Sequence, residues 1–161
     1  MLNEGQIKQT WQGLLGAETR SLYFGDLASR YTRQKQWITG LSFFLSSGAA
    51  ASIISKAPDW IPLTLALIVA ATTAYAMAVN LDGKIATMAK LHSSWKRIAA
   101  EYDRVWNHAY DEGVEEQLDR TIVSEREPSE LATISAPNNQ KLLGEWEDRV
   151  FAMYHLSGEN G

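Results

Sequence analysis

His108 and the carboxylates that follow it form the chain's best candidate for a chemical site. Asp111, Glu112 and Glu115 stand three, four and seven residues after it, so one helix face would present an imidazole and carboxylates to a divalent metal. A metal site in a helical bundle also needs ligands on a second helix, and the sequence contains no Glu-x-x-His pattern that would supply them. We therefore interpret these residues as a solvated acidic face and expect no metal ligands.

No catalytic motif accompanies these residues. A Gly-x-Ser-x-Gly elbow, a Walker loop, a Gly-x-Gly-x-x-Gly turn and a His-Glu-x-x-His helix are all missing from the sequence. The chain has no cysteine, which excludes disulfides, zinc–thiolate sites and cysteine nucleophiles. We expect no enzymatic activity and no cofactor.

Two long segments without charged residues dominate the chain instead. No Asp, Glu, Lys or Arg occurs at positions 36–55 or 60–81, and Ser55–Asp59 between them has the composition of a tight polar turn. A helix rises about 1.5 Å per residue, so each segment reaches roughly 30 Å, the thickness of a bilayer's hydrocarbon core. The second segment has no polar face at helical spacing, whereas a soluble helix usually has one. The sequence therefore predicts a transmembrane helical hairpin, with a buried hairpin inside a soluble bundle as the alternative.

Basic residues predict the orientation of this hairpin. The turn carries a single basic residue, Lys56, whereas Arg30, Arg33 and Lys35 precede the first segment and Lys84, Lys90, Lys96 and Arg97 follow the second. The positive-inside rule then predicts a multi-pass protein of the inner (plasma) membrane with both termini in the cytoplasm. Trp37 would anchor the cytoplasmic interface, and Trp60 the outer one.

An amphipathic helix is predicted after the second segment. Its apolar residues step by threes and fours in a heptad-like stripe of Ile85, Met88, His92, Trp95, Ile98, Tyr102 and Val105. On this stripe, packing is a better interpretation of His92 than ligation. Such a stripe needs an apolar partner, and the nearest one is the helix before the first segment. We also consider the stripe a candidate surface for oligomerisation in the cytosol.

The sequence thus predicts an all-α protein, a two-span transmembrane hairpin whose helices extend into a cytosolic helical bundle. We divide it into N-terminal cytosolic helices (1–36), the hairpin (37–81), a cytosolic amphipathic helix (82–126) and a C-terminal helical segment with its tail (127–161). Within the last region, Ser135–Asn139 is the clearest linker.

Small and polar residues within the two spans are the remaining candidates for function. Ser42, Ser46, Thr73 and Asn80 either allow close helix packing in lipid or line a wet path through an oligomer. No ionisable residue lies within either span, so we expect no proton relay and no charged ring at mid-membrane.

This layout resembles a known family. Leu22–Tyr31 leads into a span rich in small residues, a short Pro-containing turn and a second span follow, and Trp95–Tyr102 lies on the amphipathic helix beyond. Over roughly residues 20–110 the pattern is similar to the SLATT family, the two-transmembrane effector domains associated with nucleotide second messengers and related bacterial conflict systems. The family has no catalytic residues to carry over.

The resemblance implies a role in anti-phage defence. A homo-oligomer would perforate or disturb the inner membrane when a partner sensor or nucleotide-signalling protein detects phage. The alternative is a two-span scaffold or adaptor that recruits a cytosolic partner without forming a pore. The chain shows no broad basic surface, so nucleic acid is not an expected partner.

The predicted topology can be tested with reporter fusions. A reporter active only in the cytoplasm, fused to either terminus, should be active, because the basic residues flanking the spans favour the cytoplasmic side. A reporter active only outside the membrane should stay silent at the same two positions. The opposite result at either terminus would overturn the topology.

Overall fold

The computed structural model describes residues 1–47, 58 and 60–159, and the side chains of Leu45, Ser46, Pro62 and 155–159 lie outside that description. Most of the predicted turn and the side chain of the candidate residue Ser46 therefore lie outside the described residues. All regular structure in the described part of the chain is helical, which confirms the all-α prediction. The helices are α1 (Glu4–Ser46), α2 (Trp60–Val79), α3 (Leu81–Asn107), α4 (Val114–Ser124), α5 (Arg126–Ser135) and α6 (Gln140–Glu159).

The chain forms two compact units. One combines Met1–Leu27 with Thr87–Gly161, and we call it the bundle unit; the other is Ala28–Ala86, which we call the paired-helix unit. Both α1 and α3 contribute residues to each unit. The four predicted regions follow the chain, whereas these units group segments that are distant in sequence.

In the bundle unit, α3 packs antiparallel to the first half of α1. Gly13 of α1 lies against the ring of Tyr102, and eight residues later the Ser21 carbonyl accepts a 2.7 Å hydrogen bond from His92 Nδ1. The position in α3 falls as the position in α1 rises, which defines the antiparallel direction. As predicted, the helix before the first segment is the partner of the amphipathic stripe.

The remaining helices close the bundle unit on both sides of this pair. The Ser124 hydroxyl donates to Glu101 at 3.2 Å, and Glu127 pairs with Lys90 at 3.1 Å, so α4 and α5 run back along α3. Then α6 returns along α1, where the Tyr23 hydroxyl donates to the carbonyl of Pro137 just before it at 2.7 Å. The described part of the bundle unit therefore consists of four helical segments, and the third of these is divided into α4 and α5.

Six of the seven residues of the α3 stripe belong to the bundle unit, and Ile85 belongs to the paired-helix unit. The stripe residues Met88, Trp95, Ile98, Tyr102 and Val105 are at most 3% exposed, whereas Ile85 and His92 are partly exposed. Burial raises the pKa of the Tyr102 phenol well above its ordinary value, and the nearby Glu125 carboxylate raises it further. Because these side chains are covered within one chain, contact between copies through the stripe would require the bundle to open.

The predicted linker agrees with the structure. Helix α5 ends at Ser135, and α6 begins at Gln140. Asn139 caps α6, because its side-chain oxygen accepts a hydrogen bond from the Leu142 amide at 3.1 Å.

The predicted amphipathic helix does not continue without a break from the second uncharged segment. The structure breaks the helix at Asn80, which adopts a positive φ of 48° between α2 and α3. Its side-chain oxygen accepts a hydrogen bond from the Gly83 amide at 3.2 Å and so caps the first turn of α3. Asparagine is one of the few residues that tolerates this left-handed conformation.

Helix α1 runs without a break through Gly13 and Gly16. Gly13 is needed for close packing, because a Cβ there would lie 2.5 Å from the Tyr102 ring. Three residues later, a Cβ on Gly16 would meet only the end of Arg20, at an ordinary 3.6 Å. The two glycines therefore have different roles on one helix.

Gly13→Ala should destabilise the bundle unit. Overpacking typically costs about 1–3 kcal/mol, which exceeds the roughly 0.5–1 kcal/mol that alanine gains over glycine in a helix. Gly16→Ala is the matched control and should be neutral or stabilising. Thermal unfolding of both variants in detergent micelles, followed by circular dichroism, tests this; equal stability would show that Gly13 and Tyr102 are not in close contact.

Candidate functional site in the paired-helix unit

The surface of α2 is apolar and exposed on almost every side. Trp60, Leu63, Leu67 and Met77 are each more than 60% exposed, although such side chains normally form a core. The helical stretch Leu63–Asn107 is long and apolar enough to cross a membrane, and none of its apolar window is buried. The described residues thus include one helix able to span a bilayer, with its apolar side chains facing outward.

One stripe of α2 is less exposed than the rest, and it faces α1. Its residues recur at helical spacing: Ile61, Leu65, Val69, Thr72, Ala76 and Val79. Lys35 of α1 forms an ion pair with Asp82 just beyond α2, whereas Phe44, nine residues further along α1, lies near Thr72 in one cavity wall. In the paired-helix unit α1 and α2 therefore run antiparallel, with aliphatic side chains and one threonine on the α2 side of the contact.

Two threonines of α2 satisfy their hydroxyls within the helix. Thr64 Oγ1 donates to the Trp60 carbonyl at 2.8 Å, and Thr72 Oγ1 donates to the Ile68 carbonyl at 2.6 Å. Hydroxyls bonded in this way do not need water, so α2 can carry them in an apolar environment.

The candidate polar residues share one cavity. Ser42, Thr73 and Asn80 line a cavity of about 710 Å³ between α1 and α2, which we call the polar cavity. Thr39 adds another hydroxyl, and the walls between these groups are apolar. The structure therefore brings together three residues that the sequence could only name separately; the side chain of the fourth, Ser46, lies outside the described residues.

An ion pair marks one end of the polar cavity. Lys35 and Asp82 both line it and bond to each other, and on the same unit the Lys84 ammonium lies 5.9 Å from the centre of the Tyr31 ring. Sequence reasoning used the basic residues only for orientation and missed this pairing. The available signal was the predicted antiparallel hairpin, which places the residue before its first segment level with the residue after its second.

A second cavity of about 550 Å³ lies on another side of α1 and is almost wholly apolar. Trp37, Leu41 and Phe44 form its α1 wall, and Thr72, whose hydroxyl is already bonded, comes from α2. The helix pair thus has a polar groove on one side and an apolar groove on another.

The two predicted anchors lie near opposite ends of the helix pair. Trp37 stands two residues after Lys35 and is 75% exposed, and Trp60 opens α2 and is 66% exposed. The twenty residues of α2 span about 30 Å, close to the hydrocarbon thickness. That these two tryptophans act as interfacial anchors stays a prediction.

The helix face that the metal alternative required is not formed. Helix α3 ends at Asn107 and α4 begins at Val114, so His108 and the following carboxylates do not share one helix. His108 Nδ1 bonds instead to the Arg104 carbonyl at 2.8 Å. Within residues 1–47 and 60–154 no group of three or more acidic or histidine side chains is placed to hold a metal ion.

Comparison with known proteins adds no assignment to this geometry, because no family model, curated protein or solved structure matches the chain.

Two substitutions at Asn80 isolate its backbone role from its capping role. Asn80→Gly and Asn80→Ala both remove the cap on Gly83, but only glycine adopts a positive φ without strain. The alanine variant should therefore be less stable than the glycine variant by about 1–2 kcal/mol, the cost of the left-handed region for a residue with a Cβ. Thermal unfolding in micelles measures the difference, and equal stability would contradict a helix break at this position.

Proposed function

We propose that Ala28–Ala86 inserts into the inner membrane as a two-span hairpin, and that several copies assemble around a path lined by the polar cavity. The observation that carries this proposal is the position of Ser42, Thr73 and Asn80 in one groove of an otherwise apolar helix pair. A lone hairpin in lipid would leave that groove facing hydrocarbon. Assembly of copies with their grooves facing inward surrounds these polar groups with water instead.

The physical argument for insertion is the exposure of α2. Leu63, Leu67 and Met77 are exposed in the folded chain, and exposed apolar area costs about 25 cal/mol per Å² in water but nothing in hydrocarbon. The first span is less apolar than the second, and it would enter together with α2 as a pair. The basic residues at the Lys35 end favour the cytoplasm, so both termini lie on that side in this proposal.

The polar lining of the groove favours a pore that conducts ions over a helix assembly that is closed to water. Hydroxyl and amide side chains can hydrate a pore without holding an ion, and the ion pair of Lys35 with Asp82 adds charges of both signs at the cytoplasmic end. Such a lining predicts weak selectivity, because no ring of one charge sign lies within the span. An effector that collapses a membrane gradient needs no more than this.

The role that we propose is an oligomeric effector that perforates the membrane on activation. The resemblance to the SLATT layout supports a setting in bacterial anti-phage defence, with a sensor or nucleotide-signalling protein as the trigger. We assign the chain no catalytic function. In the alternative, the hairpin is only an anchor and the bundle unit recruits a partner; the threonines of α2 that bond to their own helix would suit such a passive span equally well.

A matched pair of threonine variants tests the pore. Thr73 and Thr64 are both exposed on α2, but Thr73 lines the polar cavity, whereas Thr64 does not line it and is bonded to the Trp60 carbonyl. Thr73→Leu should strongly reduce dye release from vesicles that contain the protein, because an apolar constriction closes a pore by dewetting. Thr64→Leu adds the same side chain on the same helix and should leave dye release unchanged.

Control measurements separate the two functions. Both variants should insert and should have the same detergent-corrected mass as the unaltered chain. Equal dye release by both variants would remove Thr73 from the pore lining. No release from any of the three proteins, with partner recruitment intact, would favour the scaffold.

A further inference from the structure

The bundle unit contains a cavity that the membrane function does not use. It lies between α1 and α6, has a volume of about 390 Å³, and is here called the α1–α6 cavity. That volume falls within the range of small-molecule sites, about 300–1,000 Å³. Its walls are Glu18 and Leu22 from α1 with Trp146, Val150, Met153 and Tyr154 from α6.

The two aromatic walls are held in place by contacts outside the cavity. The Trp146 indole donates its Nε1 hydrogen to Asp26 Oδ2 at 3.2 Å. The Tyr154 ring meets Trp11 edge-on, with 5.2 Å between ring centroids. Because these rings are already oriented, a ligand between α1 and α6 would lose little entropy in ordering them.

The charge of the cavity is negative. Among the described lining residues Glu18 is the one carboxylic acid, and in the part of the chain that the structure describes it forms no ion pair. Burial raises the pKa of Tyr154, and the Glu18 and Asp103 carboxylates raise it further, which is the effect of a negative potential at the phenol. Arg149 lies 4.7 Å from the centre of the Trp146 ring without lining the cavity, so this indole already attracts one cation.

We propose that the α1–α6 cavity binds a small organic cation with an apolar body, such as an aryl-ammonium. The ammonium would lie between the Glu18 carboxylate and the aromatic faces, where cation–π attraction and the carboxylate act together. Leu22 and Val150 would contact the apolar body. An anionic ligand is disfavoured by Glu18, and a neutral one leaves that carboxylate without a partner. This site does not depend on whether Ala28–Ala86 forms a pore.

Benzyltrimethylammonium is a suitable probe, with benzyl alcohol as its neutral counterpart. Calorimetric titration of the full chain in a neutral maltoside detergent, with empty micelles subtracted, should give saturable binding of the cation and much weaker binding of the alcohol. Glu18→Gln keeps the shape of the side chain and should weaken cation binding by about tenfold, since it removes the carboxylate charge from the described lining of the cavity. Glu147→Gln is the control, because Glu147 lines a separate cavity between the same two helices.

The outcome is decided by charge and by position. Cation binding that falls with Glu18→Gln and persists with Glu147→Gln supports the site. The site would be refuted if the cation and the alcohol bound equally well, or if Glu18→Gln left the affinity for the cation unchanged. It would also be refuted if both variants lost the same amount of affinity. If Glu18→Gln lowers the melting temperature, the comparison of the two probes on the unaltered chain decides alone, and absence of saturable cation binding refutes the proposal.

Discussion

The structure depends on one constraint: α2 has apolar side chains on nearly all sides and only a narrow stripe in contact with α1. A helix of this kind has no face that prefers water, so it must be covered by protein or by hydrocarbon. The described residues do not cover it, since Leu67 and Met77 remain more than 60% exposed. We propose that lipid covers this surface, because a helix satisfies its own backbone hydrogen bonds in hydrocarbon.

The exposed apolar surface of α2 also determines how the polar cavity is interpreted. In water, a few hydroxyls in a groove between two helices cost little free energy, because water molecules hydrogen-bond to them. In lipid, polar groups are costly to expose, and Thr64 and Thr72 bond to carbonyls of their own helix. Thr73 instead lines a common groove with Ser42 and Asn80. The position of these three polar side chains in one groove of an otherwise apolar helix pair is the reason for proposing a pore rather than a simple anchor.

Sequence periodicity predicted the helical class, the long apolar helix α2, the partner of the α3 stripe and the linker before α6, because each depends on hydrophobic pattern or on turn residues. It did not predict the helix break at Asn80, which rests on one residue in a left-handed conformation. It also did not predict the contact of Gly13 with Tyr102, because that contact follows from the register of α1 against α3. Register likewise decides which polar residues share a cavity. The spacing of residues along one helix does not reveal the register of that helix against its neighbour.

Exposure of α2 to hydrocarbon is tested most directly by thiol accessibility, for which the cysteine-free sequence is a suitable background. Leu67→Cys and Ile134→Cys place single thiols at positions 63% and 84% exposed in the folded chain. In intact membranes a water-soluble maleimide should label the Ile134→Cys protein and leave the Leu67→Cys protein unlabelled, because a thiol in hydrocarbon does not form the reactive thiolate. Labelling of both proteins at equal rates would show that water reaches α2, and would contradict the account.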